Sequence, residues 1–148
     1  MVKKTLSLVG LAVLCLSSTL PAVAAKRIVP NPILILTGVE PATAAGKKVI
    51  RYEFAVFNAE VYPNAMFAAA PELPACGKNT KSSRTWVDLF DQSGKRLYGF
   101  CALAKADDLN KIYFMLEEGT IPPSWVYIEM NDRATNTKYK SNLAETTL

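Results

Sequence analysis

Between Lys48 and Asn58 the chain reads KVIRYEFAVFN, and apolar and polar side chains exchange places along it. Ile50, Tyr52, Phe54 and Val56 fall on one side, Val49, Arg51, Glu53 and Ala55 on the other. A period of two is the signature of a strand with one buried face. It also fixes the register, because a slip of one residue would carry Arg51 and Glu53 into the interior. The large apolar set therefore faces a core.

The rest of the chain follows the same grammar. PILILTGVE (32–40) is a short apolar run between prolines and predicts a first strand, and PATAAGK (41–47) predicts a loop turning at Gly46. Residues 64–83 read as a long loop, with a helical turn from Asn64 that Pro71 stops. RTWVDLF (84–90) and KRLYGFC (95–101) flank Asp91-Gln92-Ser93-Gly94, which predicts a hairpin with Gly94 in the left-handed region. ALAKADDLN (102–110) is a connector with a helical turn capped by Asp107. KIYFMLEEG (111–119), SWVYIEMND (124–132) and TKYKSNL (137–143) complete the strands, the last a polar edge. About seven short strands separated by turns imply an all-β fold, an antiparallel two-sheet sandwich.

The first 25 residues do not belong to that domain. Lys3 and Lys4, the apolar run Leu6–Leu16, the breakers Ser17, Ser18 and Pro21, and Ala22-Val23-Ala24-Ala25 spell a secretory signal peptide, with cleavage after Ala24 or Ala25. The single domain is then 26–148, secreted or periplasmic, without membrane insertion once the leader is removed. Losing Lys3 and Lys4 lowers the basic count from 17 to 15 against 13 acidic residues, so the charge falls from +4 to +2. That balance gives no argument for nucleic acid. Cleavage also removes Cys15 and leaves Cys76 and Cys101, which in an exported chain read as a disulfide. The hairpin brings its open end back near Arg84, so the bridge would staple the incoming loop to that end and stabilise by roughly 3 kcal/mol in the chain-entropy picture.

MLEEGTIPPSWVYIEMNDRATNTKYKSNLA (115–144) runs from a strand end through a Gly-Thr turn into aromatic alternation, then a short hairpin and a Lys-Tyr-Lys strand. It resembles the last two strands of a fibronectin type III or immunoglobulin-like domain, and PILILTGVEPATAAGKKVIRYEFAVFN (32–58) resembles the first two. The likeness spans residues 33–143. It implies a sandwich that binds proteins or sugars, or spaces other modules. Two departures stand out: there is no Cys-Trp-Cys pattern between the sheets, and the 64–83 loop is long for the family.

The chain has no histidine, which removes histidine-based triads and histidine-ligated metals. Ser82, Ser83 or Ser93 with a lysine, and the acids Asp88, Asp91, Asp107, Asp108, Glu117 and Glu118, are explained as well by turns and solvated strand faces. DQSGK and KADDLNK lack the alternating acids of a calcium loop, and Gly46-Lys47-Lys48 lacks the context of a phosphate loop. No cofactor and no metal is implied. The aromatic residues carry the remaining signal. Trp86, Asp88 and Phe90 share one strand face, Arg96, Tyr98 and Phe100 one face of the partner, so Trp86 is expected beside Tyr98 or Phe100. Large rings are mostly buried, which favours this row as core, and the same holds for Trp125 and Tyr127. Thr85, Val87 and Leu89 would make an equally good core. These residues suggest a monomeric, non-enzymatic binding or accessory module. Its expected partner is a protein, reached through the loop from Met66 to Ser83 or a strand edge. The alternative is an extracellular polysaccharide stacked on Trp86, Tyr98 and Phe100.

Overall fold

The computed structural model describes residues 29–74 and 82–147. The expected signal peptide and Cys76 lie outside the described residues. Among the described residues, eight strands form two antiparallel sheets: β1 (Leu34–Ala44), β2 (Lys47–Val56), β3 (Thr85–Asp91), β4 (Arg96–Phe100), β5 (Ile112–Glu117), β6 (Trp125–Asp132), β7 (Thr137–Lys140) and β8 (Ala144–Glu145). The first sheet has the order β1-β2-β5, the second β4-β3-β6-β7, with β8 also pairing β6.

The inner faces share one apolar cluster. Tyr52, Phe54, Val56, Ile112 and Phe114 come from the first sheet, Val87, Leu89, Val126, Ile128 and Met130 from the second. Tyr52 and Phe54 both stack on Phe114, with centroids 4.8 and 6.0 Å away. Aromatic rings on one sheet thus meet aliphatic side chains on the other, and each such side chain fully buried stabilises by about 1.5–3 kcal/mol. The alternation expected for β2 holds at Tyr52, Phe54 and Val56; Ile50 packs at the margin, and Val49 is also buried. Outside, Arg51 and Glu53 pair at 2.9 Å.

β1 is longer than its sequence suggested. The segment 41–47 does not loop; pairing continues from Pro41 opposite Ile50 to Ala44 opposite Lys47, and only Ala45 and Gly46 turn. Both have positive φ, 50° and 78°, as a two-residue hairpin requires. Pro41 is accepted because β1 is an edge strand, where a missing N–H costs no ladder bond. A bulge between Leu36 and Gly38 further breaks that edge.

Side-chain amides finish the edge. Asn142 Oδ1 accepts from Leu34 N at 2.8 Å while its Nδ2 donates to Leu34 O at 3.1 Å. On the other side of the chain Asn58 caps the β1–β2 ladder, accepting from Ile33 N and donating to Asn31 O beside the bond from Phe57 N to Ile33 O. Because Asn142 leads into β8, which pairs with β6, it ties the edge of one sheet to the other.

The 64–83 segment begins as expected, with a 3-10 turn over Asn64–Phe67 that buries Met66 and Phe67. It returns beside the hairpin through a bridge between Ala69 and Ser83. The hairpin turns as expected: Gly94 has φ 85°, and Asp91 Oδ1 accepts from Ser93 N and Lys95 N at 2.8 and 3.0 Å. The connector's turn, Ala106–Asn110, is capped by Asp108 in place of Asp107, because Asp108 Oδ2 reaches back to Ala104 N and Lys105 N.

Two substitutions test these devices. Ala45→Asn should raise stability by about 0.5–1 kcal/mol, since asparagine tolerates the left-handed region that alanine resists. Asn142→Ala should lower it by about 1–2 kcal/mol by leaving both Leu34 groups unpaired. Urea titration of each variant against the wild type measures both.

Candidate functional site

The three aromatic residues singled out in the sequence do not form one row. Val87 lies opposite Phe100 and Leu89 opposite Tyr98, so both rings share the inner side of the hairpin. Trp86 points to the outer face. The alternation from Arg96 to Phe100 is broken by a bulge at Leu97: Phe90 pairs with Arg96, and Arg96 joins the outer face, where its Nε donates to Asp88 at 2.6 Å. Gly99 leaves room for that pair, since a Cβ there would sit 1.8 Å from Arg96 Nη2.

The burial expectation reverses for Trp86 and for the β6 rings, while Phe100 does pack against the core. Thr85, Val87 and Leu89 are fully buried, and Trp86 and Phe90 are half-buried on the opposite face. On β6, Val126, Ile128 and Met130 fill the core, while Trp125 stays 39% exposed and Tyr127 half-buried. The physical reason is the facing sheet. Tyr52, Phe54 and Phe114 already supply rings to a space of fixed thickness, and branched aliphatic side chains fit the remainder.

Tyr98 and Phe100 instead close the seam between β4 and β5. Tyr113 completes a trio, with centroids 4.9 Å between Tyr98 and Phe100 and 5.5 and 5.7 Å to Tyr113. The Arg51 guanidinium lies 4.4 Å over the Tyr113 ring. Its hydrogen bond to Tyr113, which holds the Tyr98 phenol in its protonated form, raises that phenol above its ordinary pKa, helped by the adjacent phenol's charge and by burial.

On the outer face of the second sheet the rings are covered by cations. Arg133 lies 3.8 Å over Trp86 and Lys140 4.1 Å over Tyr127, which itself stacks on Phe90 at 5.2 Å. Lys138 pairs with Glu129 at 2.7 Å, which raises the lysine pKa.

A pocket of about 730 Å³ opens at one end of the sandwich. Its apolar walls include Val61, Tyr62, Pro63, Ala65, Met66 and Tyr139, and its polar groups come from the Arg84–Asp132 pair with Glu60, Thr135 and Thr137. Tyr62 meets Tyr139 edge-on at 6.5 Å and donates its hydroxyl to Pro30 O at 2.8 Å. Burial pushes the Tyr62 phenol up, against a lowering hydrogen bond with Asn58 and a raising contribution from Tyr139. Arg84 donates from Nε to Asp132 Oδ1 at 2.7 Å and from Nη2 to Asp132 Oδ2 at 2.5 Å. A size of several hundred Å³ and a lining more apolar than polar suit a binding pocket. Sequence reasoning did not find it. The residues come from the 59–67 turns, the start of β3 and the end of β6, and only the register, with Thr85 opposite Asp132, brings them together. The one available signal was a pair of opposite charges at two strand ends.

The serines and most acids flagged in the sequence have structural partners. Ser83 Oγ donates to Thr85 O and Ser93 Oγ to Asp91 Oδ1, both at 2.6 Å. Asp107 pairs with Lys105, Asp108 with Lys111, and Glu117 with Lys47. Among the described residues, no group of three or more acids or cysteines could hold a metal ion, and no helix is long and apolar enough to cross a membrane.

The buried ion pair makes stability pH-dependent. Burial alone would raise the Asp132 pKa, but the Arg84 hydrogen bonds and charge, with Thr135 and Ala134 N, outweigh it and hold the carboxyl below its ordinary value. A folded pKa below the unfolded one gives stabilisation that is complete above the ordinary aspartate range, near pH 4, and lost as pH falls through the depressed value. Asp132→Asn should therefore cost about 3 kcal/mol at neutral pH by leaving Arg84 unpaired. It should also flatten part of the acid limb in a urea–pH stability series, to which Asp108 and Asp91, whose carboxyls are lowered too, still contribute. Compared with known proteins, the chain matches no family model, no curated protein and no solved structure.

Proposed function

We propose that this protein is an exported, non-enzymatic binding or accessory module that takes an apolar anchor of a protein partner into the pocket above Arg84 and Asp132. One observation carries the reading: a pocket of about 730 Å³ with apolar walls and a neutralised ion pair at its base. Such a cavity suits a buried aromatic or aliphatic side chain, the kind that dominates binding energy at protein interfaces. Met66, at the start of the loop expected to meet a partner, lines it. The structural work done by the flagged serines and by Asp91, Asp107, Asp108 and Glu117 supports the non-enzymatic side of the proposal.

A fibronectin type III-like or immunoglobulin-like assignment is supported by the strand division. First, second and fifth strands lie in one sheet and third, fourth, sixth and seventh in the other, with connections crossing between the sheets. A Cys76–Cys101 disulfide is supported from one side: Cys101 is engaged and not a free thiol, and its carbonyl accepts from Ser83 N at 2.7 Å, where the loop returns to the hairpin's open end. The polysaccharide alternative is weakened because Trp86 does not adjoin Tyr98 and Phe100, and its ring already carries Arg133.

Ala65→Trp should fill the pocket without touching the core. In cells exporting the protein, a photo-crosslinker at Val61 should give a discrete protein adduct that the Ala65→Trp variant abolishes. Absence of an adduct, or an adduct indifferent to Ala65→Trp, would remove the pocket from the reading, and retention on polysaccharide columns would restore the sugar alternative.

A further inference from the structure

We propose that the outer face of the β3-β6-β7 sheet is a second docking site, for an extended acidic protein segment whose carboxylates settle on Arg133 and Lys140. This site is separate from the pocket and stands or falls without it.

The charge bookkeeping of the face points to an anion. Arg96 and Lys138 are neutralised by Asp88 and Glu129, whereas among the described residues Arg133 and Lys140 make no ion pair. Each of these two cations rests on a ring instead, Arg133 on Trp86 and Lys140 on Tyr127. The Arg133 Nη1, the Trp86 Nε1 and the neighbouring Asn131 Oδ1 are shielded from solvent and unpartnered. A ring face compensates a cation only in part, and a carboxylate would complete it through charge-assisted hydrogen bonds.

The spacing points to an extended chain. Trp86 lies opposite Asn131, and Tyr127 is four positions earlier on the same strand face. At the strand rise the two rings that carry the cations sit about 13 Å apart along the strand direction. Acidic side chains four residues apart in an extended peptide fall on one side at the same separation, since both chains share a period of two. A glycan is disfavoured because stacking a sugar needs an open ring face, and the cations occupy those of Trp86 and Tyr127.

Fluorescence anisotropy with a labelled Glu-Thr-Val-Thr-Glu peptide tests the proposal on the mature protein. The peptide should bind at low salt and weaken about tenfold by 0.3 M salt. Lys140→Gln and Arg133→Gln should each weaken it about fivefold, and Lys48→Gln, on the other sheet, should leave it unchanged. Lys140 is exposed, so its variant decides the matter if Arg133→Gln loses its near-ultraviolet circular dichroism. No binding, equal loss with Lys48→Gln, or tighter binding of an acidic polysaccharide such as polygalacturonate would overturn it.

Discussion

The shared apolar space between the two sheets is the constraint on which everything else rests. Tyr52, Phe54 and Phe114 enter it from one side, and Val87, Leu89, Val126, Ile128 and Met130 from the other. Once those faces are committed inward, the period of two commits the opposite faces outward. The outer positions of β3 and β6 are therefore consequences of the core. Trp86, Phe90, Trp125 and Tyr127 are displaced to the surface because the inner positions between them are taken.

Three devices close what the core leaves open. At the β1 edge, Asn142 supplies the donor and acceptor that a neighbouring strand would have given, while Asn58 caps the end of the β1–β2 ladder. At the opposite side, the Tyr98–Phe100–Tyr113 trio covers the seam between β4 and β5 with rings. The Arg84–Asp132 pair serves a third opening, the end where the 59–67 turns stand away from the sheets. Asp132 is 3% exposed, so its charge is tolerated only because Arg84 and backbone groups hold it. Structure and candidate function meet at that point: the pair that secures the end of β6 is also the polar floor of the pocket.

The two proposed sites differ in their physics. The pocket would gain affinity by burying an apolar side chain, with little dependence on salt. The outer sheet face would act through unpaired cations and would respond to salt directly. A partner using both would be an extended segment with an apolar anchor and flanking acids, held at the end and on the face of one sheet.

Strand alternation, turn residues and the prolines were enough to determine an all-β chain with its strands at nearly the observed places. They also determined the inward set of β2 and the Gly94 hairpin, because these depend on local periodicity and backbone sterics. The extension of β1 through Pro41 was hidden, since a proline is harmless only on an edge and a sequence does not say which strand is an edge. The Leu97 bulge was hidden for a similar reason: it has no side-chain signature, yet it moved Arg96 to the face opposite Tyr98 and Phe100. Which face of β3 and β6 is core was misjudged because ring size outweighed charge: the outer set carries Trp86, Phe90, Trp125 and Tyr127 beside Asp88 and Glu129, and the rings of the opposing sheet leave room only for the aliphatic set. The pocket belonged wholly to the tertiary structure. Its residues are far apart in the chain, and nothing short of strand register places Arg84, Asp132 and the 59–67 turns around one space.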